Sequence, residues 1–286
     1  MTTLLWLDGG NDVAAHMARD AALLERAAAG ALAAPVLRLF AFDPPGITLG
    51  RSQDAAAELD LERLSRAGVR WASRPTGGRA IWHEEEWTFS LAARLSSDGW
   101  AADARAAYER TARLLARALR SLGVPAVLSP GSPRAAGPPR ARAGATPPCF
   151  ASTARHELTL DGKKLAGIAQ RATRGVLLQQ SSLLLGPAHA KLARWVRGND
   201  ADRAALEAEW RDAAAAAADY LGEDRSLERL AGALERSLAA EGGVHRLDRE
   251  EGARALALGP ARPSEQDCLS SARHYTAPRA SSSCTD

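Results

Sequence analysis

Cys149 is the only cysteine within the regularly patterned part of the sequence; Cys268 and Cys284 fall in a polar tail. A lone thiol is either a small buried hydrophobe or, as a thiolate, a nucleophile. The stretch before it, Ser129–Pro148, is built from Pro, Gly, Ala, Ser, Thr and Arg. It carries Arg134, Arg140 and Arg142 and no acid. Such a stretch does not make core, which favours the nucleophile. A thiol with an ordinary pKa near about 8.5 needs a neighbouring cation to ionise at neutral pH. Lys163 and Lys164 stand just beyond an Asp161-Gly162 turn. By pattern alone they are an exposed turn pair, and Leu165 and Ile168 leave open which one faces inward. Gly77 and Gly78 in Thr76-Gly77-Gly78 let a backbone approach a ligand and present N–H groups to a carbonyl or phosphate oxygen, or they make a tight turn. Arg74, Arg79 and His83 flank them; His83 can bind a substrate or bond locally. Gly167 and Ala169 suit the wall of a narrow tunnel, or they relieve packing.

The elements that must position these residues read as follows. Asn11 and Asp12 cap a helix reaching about Ala29, with Met17, Ala21 and Leu24 on one face. Val36 to Phe42 alternates as a strand, and Ile47 to Gly50 resumes after Pro44-Pro45. Leu59, Leu61 and Leu64 mark a short helix before the extended Arg70 to Pro75. Thr88 to Leu95 reads as a strand and Ala102 to Leu122 as a long helix. A hairpin follows, with strands over 156–160 and 164–171 and another from Val176 to Leu185. From Ala188 the pattern is helical to roughly Glu241, with Ala213 to Ala218 as its high-propensity centre, and Arg249 to Leu258 forms a last helix. The expected class is α+β: a mostly antiparallel sheet with packed helices, then a helical C-terminal segment. The expected organisation is one domain over 1–258, with its core at about 30–245 and a mobile loop at 129–148. Residues 259–286 read as a disordered tail.

At 286 residues and a formal net charge of +3, the chain is too weakly basic to argue for nucleic acid. Its cysteine usage and the absence of a basic, apolar leader point to a reducing cytoplasm. Uncharged runs such as Gly175 to Ala190 are too short and polar to span a bilayer. No HExxH, CxxC, P-loop, GxGxxG or GxSxG occurs, so no metal site is expected and a dinucleotide or hydrolase site has no support.

Three segments together resemble the biotin/lipoate A/B protein ligase superfamily. They are Pro44-Pro45-Gly46-Ile47-Thr48-Leu49-Gly50-Arg51-Ser52-Gln53, Arg74-Pro75-Thr76-Gly77-Gly78-Arg79-Ala80-Ile81-Trp82-His83, and Cys149-Phe150-Ala151-Ser152 followed by Asp161-Gly162-Lys163-Lys164-Leu165-Ala166-Gly167-Ile168-Ala169-Gln170. The resemblance covers roughly residues 10 to 250 and implies that superfamily's catalytic fold, related to class II aminoacyl-tRNA synthetases. The TGGRA loop and a cysteine before the hairpin look like the octanoyltransferase branch. That branch takes octanoyl from acyl carrier protein and gives it to a lysine of a lipoyl domain, such as the glycine-cleavage H protein or a 2-oxoacid dehydrogenase E2, with no cofactor. The resemblance makes Cys149 and Lys164 catalytic and Arg74, Thr76, Gly77, Gly78, Arg79, Ala80, His83, Gly167 and Ala169 substrate-binding. Alternatives are an ATP- and Mg-dependent lipoate ligase and a non-catalytic relative. The sequence departs from the family at Gln180 and Ser181, where His and Gly are usual, and at Ser73, where Arg is usual.

Overall fold

The computed structural model describes residues 1–129 and 157–258. Cys149, the expected loop beyond Ser129 and the expected tail lie outside the described residues. In chain order the elements are β1 (Thr2–Asn11), α1 (Val13–Ala28), β2 (Val36–Phe42), β3 (Gly46–Leu49), α2 (Ala55–Glu58), α3 (Leu61–Arg66), β4 (Arg70–Ser73), β5 (Ile81–His83) and β6 (Glu86–Arg94). There follow α4 (Ala104–Ser121), β7 (Val127–Leu128), β8 (Leu158–Leu160), β9 (Lys163–Lys164), β10 (Ala166–Thr173) and β11 (Val176–Leu184). A 3-10 stretch (Pro187–Trp195), α5 (Asp200–Ala213), α6 (Ala218–Leu221), α7 (Leu227–Ala239), β12 (Gly243–Leu247) and α8 (Arg249–Ala255) complete the set.

The main sheet has the order β10-β11-β6-β2-β1-β12. Its pairings from β10 to β2 are antiparallel, while β1 runs parallel to both β2 and β12. Two three-stranded sheets, β4-β3-β5 and β7-β8-β9, flank it. This is the expected α+β class with a mostly antiparallel sheet.

Strand alternation gives the main sheet two chemically different faces. Leu37, Leu39, Trp87, Phe89, Leu91, Leu177 and Leu183 face one way and join a core with Leu115 and Leu119 of α4 and Leu230 and Leu234 of α7. The residues between them, among them Arg38, Phe40, Thr88, Ser90, Gln180 and Ser182, face the other way. Helix α1 covers this polar face. Asp12 caps it by accepting from Ala15 N at 2.8 Å.

Beneath α1 lies a buried ion network. Arg38, fully buried, donates to Asp8 Oδ2 from Nε at 2.7 Å and to Asp20 Oδ1 from Nη1 at 2.7 Å. Arg19 also donates to Asp8. Asp20 accepts further from Ser90 Oγ and Gln180 Nε2, each at 2.6 Å. Burial pushes the Asp20 carboxyl up, against the pull of Arg38 and these hydrogen bonds. His16 donates from Nε2 to Ala41 O at 2.8 Å and takes a hydrogen bond from Arg38 on Nδ1. Burial, then the Arg38 charge, lowers its pKa from 6.5 to about 2.

Unfolding therefore lets His16 take up a proton anywhere between those values. Stability is full above pH 6.5 and falls as pH drops, by at most about 1.4 kcal/mol per pH unit from this group. His189, lowered by burial, acts in the same sense. Urea midpoints between pH 7.5 and 5.5 should show this slope, and His16→Gln should flatten it. An unchanged slope in the variant would remove His16 as a source.

The expected helical run from Ala188 to Glu241 is corrected by the structure. Its predicted centre at Ala213 to Ala218 is instead where helix stops. Ala214 bridges Lys164, Ala215 N donates to Lys164 O at 2.9 Å, and Ala217 N donates to Leu184 O at 2.9 Å. Tertiary hydrogen bonds to β9 and β11 outweigh alanine's helix propensity, which is worth only tenths of a kcal/mol per residue. Strands β1 and β12 were not anticipated. Among the described residues no helix is long and apolar enough to cross a membrane.

Candidate active site

The Thr76-Gly77-Gly78 loop is fixed from below by Arg74. This side chain, 4% exposed, donates to Gly77 O from Nε at 3.0 Å and from Nη2 at 2.8 Å. It also reaches Arg79 O at 2.8 Å and, through Nη1, Thr48 O at 3.3 Å and Thr48 Oγ1 at 3.2 Å. Arg74 thus ties the loop to β3. With the Gly77 and Arg79 carbonyls turned towards Arg74, the N–H groups of Gly77 and Gly78 are committed to no acceptor among the described residues. Two free N–H groups on a glycine turn suit an oxygen that gains negative charge.

The turn is crowded on one side only. A Cβ on Gly50 would lie 1.9 Å from Gly78 O, whereas one on Gly77 would meet nothing within 4 Å. Gly50→Ala should destabilise the protein by about 1–3 kcal/mol through forced overpacking. Gly77→Ala should stay within about 0.5 kcal/mol of wild type. Equal urea midpoints for the two variants would contradict the close approach.

His83 ends β5 beside this loop. It shares a 2.7 Å hydrogen bond with Thr48 Oγ1 and a 2.6 Å one with Glu86 Oε1. Arg74 already donates to Thr48 Oγ1, so the Thr48 hydroxyl hydrogen is free for Nε2, and Nδ1–H goes to Glu86. Thr88 Oγ1 at 2.6 Å and Ser182 Oγ at 3.2 Å also donate to Glu86 Oε1. The His83 ring stacks on Phe42, with centroids 4.0 Å apart.

Arg74, His83, Gly167 and Ala169 line one narrow cleft, which also takes in Met17, Phe40, Phe42, Thr48, Ile81, Thr88 and Gln180. Its free space is small, about 20 Å³, enough for about one water molecule. Gly167 and Ala169 lie opposite Ser182 and Gln180 in the β10–β11 register and leave the wall flat. Thr76 Oγ1 donates to Gln180 Oε1 at 2.6 Å, and Gln180 Nε2 donates to Asp20. Gln180 therefore links the glycine loop to the buried ion network. Ser181 lies between Gln180 and Ser182 in β11, in register with Phe89 and Ile168, and it too lines the cleft. Ala80 is buried in a separate cluster with Ile47, Leu49 and Trp82 and does not line the cleft; Arg79 is half-buried at the loop.

The two lysines part company as neighbours on a strand do. Lys163 is exposed, while Lys164 is 4% exposed and donates from Nζ to Glu157 Oε1 at 2.6 Å. Lys164 does not line the cleft itself; it precedes by two residues the strand that carries Gly167 and Ala169. Cys149 lies outside the described residues.

Comparison with known proteins decides what this arrangement is related to. The lipoyl protein ligase A/B catalytic domain family matches residues 12–239. The chain belongs to that family. Relatives include octanoyltransferase LipM of Kyrpidia tusciae, 35% identical over 81% of this chain and 84% of that protein. Another is octanoyltransferase LipM of Symbiobacterium thermophilum, 36% identical over 66% of this chain and 68% of that protein. Among solved structures, lipoate-protein ligase A bound with ATP has a TM-score of 0.63 at 21% identity, covering 90% of this chain and 94% of that one. At that identity the likeness shows the fold.

Of the residues singled out from the sequence, the structure brings Arg74, His83, Gly167 and Ala169 together around one cleft. Sequence reasoning missed Thr48 and Glu86 as partners of His83, because Glu84, Glu85 and Glu86 are indistinguishable by pattern. It also missed Phe40 and Phe42. Their alternation with Leu39 and Ala41 in β2 was the available sign that both face the same side.

Proposed function

We propose that this chain is an octanoyltransferase of lipoate biosynthesis that works through a cysteine thioester. What carries the reading is the extended likeness to LipM octanoyltransferases over most of both chains. In the first half-reaction the Cys149 thiolate attacks the thioester carbonyl of octanoyl-[acyl carrier protein], and the carrier's sulfur leaves as a thiolate that takes a proton from water. In the second, the neutral ε-amine of a lipoyl-domain lysine attacks the enzyme thioester. An amide forms, Cys149 leaves as thiolate, and the nitrogen gives up a proton. The N–H groups of Gly77 and Gly78 are suited to the carbonyl oxygen as charge develops on it. The apolar lining at Phe40, Phe42, Ile81, Gly167 and Ala169 matches the chemistry of an apolar acyl chain. The cation that the thiolate and oxyanion require is assigned to Lys164 on its match to the family's motif, with Glu157 as its partner. Acceptors in this reading are lipoyl domains of the glycine-cleavage H protein or a 2-oxoacid dehydrogenase E2.

The test is intact-mass analysis of the full-length protein after incubation with octanoyl-[acyl carrier protein] and no nucleotide. The expected result is a single octanoyl adduct that hydroxylamine removes and a lipoyl domain discharges. An adduct or transfer that appears only with ATP and Mg would replace this reading with a ligase. Neither under any condition would leave a binding protein.

A further inference from the structure

Three arginines stand next to the contact between the glycine loop and the cleft wall, and none of them has a counter-ion among the described residues. Gly50 abuts Gly78 so closely that a Cβ on Gly50 would overlap the Gly78 carbonyl, and a Cβ on Gly78 would lie 3.8 Å from that of Ala169. Arg51 follows Gly50, its N–H bonded to Thr76 O at 2.9 Å. Arg79 follows Gly78. Arg171 stands two residues beyond Ala169 in β10 and so shares the face of Gly167 and Ala169. All three lie within two residues of one contact point. Arg51 is exposed, and Arg79 and Arg171 are half-buried.

None of the three side chains is engaged with a carboxylate or any other acceptor among the described residues. Arg63, Arg66 and Arg70, by contrast, are each paired with an acid. The nearby acids are committed elsewhere: Asp54 caps α2 by accepting from Ala56 N at 2.9 Å, and Asp20 is buried against Arg38. Like charges gathered without an acid repel one another, and an arriving anion relieves that repulsion.

We infer that Arg51, Arg79 and Arg171 form a phosphate-binding rim that holds the phosphodiester of the acyl carrier's phosphopantetheine arm while the thioester enters the cleft. The inference rests on the proposed octanoyltransferase reading for the identity of the anion. Arginines anchored within two residues of one contact can reach one compact anion together, and guanidinium forks match phosphate oxygens two at a time. An acidic protein helix would call for cations spread along its length. The arm's chemistry also fits the division of the site, with an anionic end left at the solvent-facing rim and an acyl chain in the apolar cleft.

The test uses the full-length protein and two donors that differ only in the phosphate, octanoyl-pantetheine and octanoyl-4′-phosphopantetheine. In wild type the phosphorylated donor should have the higher kcat/KM. Arg51→Gln/Arg171→Gln should reduce that preference by about tenfold, through KM. Binding of unacylated 4′-phosphopantetheine, read by calorimetry, should weaken in step. No preference in wild type, or a preference that survives in the variant, overturns the rim. So does an effect confined to the complete carrier protein, which would mean recognition of the carrier's surface. Arginine-dependent phosphopantetheine binding by a protein that transfers from no thioester would keep the rim and remove the octanoyltransferase reading. Transfer with no phosphate preference would do the reverse.

Discussion

Cys149→Ala should abolish the octanoyl adduct and lower transfer to a lipoyl domain by at least about a thousandfold, the scale on which loss of a covalent nucleophile is felt. The reason is chemical. Without a thiol the carrier's thioester must be attacked directly by an amine that is mostly protonated at neutral pH. Cys268→Ala and Cys284→Ala should each leave the adduct in place, which separates the proposed nucleophile from the other two thiols. Intact mass and a gel assay of lipoyl-domain acylation read both effects. Full activity in Cys149→Ala would end the covalent mechanism.

The second large effect concerns the lysines. Lys164→Ala should reduce transfer by about a hundredfold or more if its ammonium stabilises charge at the reacting carbonyl. Lys163→Ala, at an exposed position, should change it less than about twofold. Lys164 is also structural. It is paired with the buried Glu157, and breaking such a pair costs about 3–5 kcal/mol. A charge-balanced variant, Lys164→Met/Glu157→Gln, separates the two roles. It should recover most of the lost melting temperature and none of the activity. Activity that returns with stability would make Lys164 a structural residue, and equal losses at the two lysines would contradict their opposite facing.

The part of this site written in local chemistry was legible in the sequence. Two glycines in a turn, small residues on a strand and a lysine after a hairpin turn each carry a short-range signature. The partners that fix them do not. Gln180 reaches Thr76 across 104 positions and Asp20 across 160, and nothing local to a glutamine announces either bond. The same limit explains the fold's surprises. Ala213 to Ala218 has the strongest helix propensity in its region, and yet Ala214 to Ala217 leave the helix to bond with β9 and β11. Strand β1 contains Gly9 and Gly10, which weaken a strand pattern. It is held by parallel neighbours far along the chain, Leu4 pairing with Val36, 32 positions on, and Thr2 with Gly243, 241 positions on. Inward facing of Lys164 over Lys163 likewise came from packing, since either register satisfied the alternation.

The placement of β1 between β2 and β12 bears on where the chain can be cut. The family match spans residues 12–239, yet the sheet extends past both limits, to β1 on one side and β12 on the other. A polypeptide trimmed to the matched range would lack Asp8, leaving Arg19 and Arg38 with an unbalanced buried charge. It would also turn β2 into an open sheet margin, an invitation to pair with other copies. Poor solubility of such a fragment would reflect lost strands and a lost counter-ion rather than an unstable catalytic domain, and any shortened version should keep residues 2–247 together.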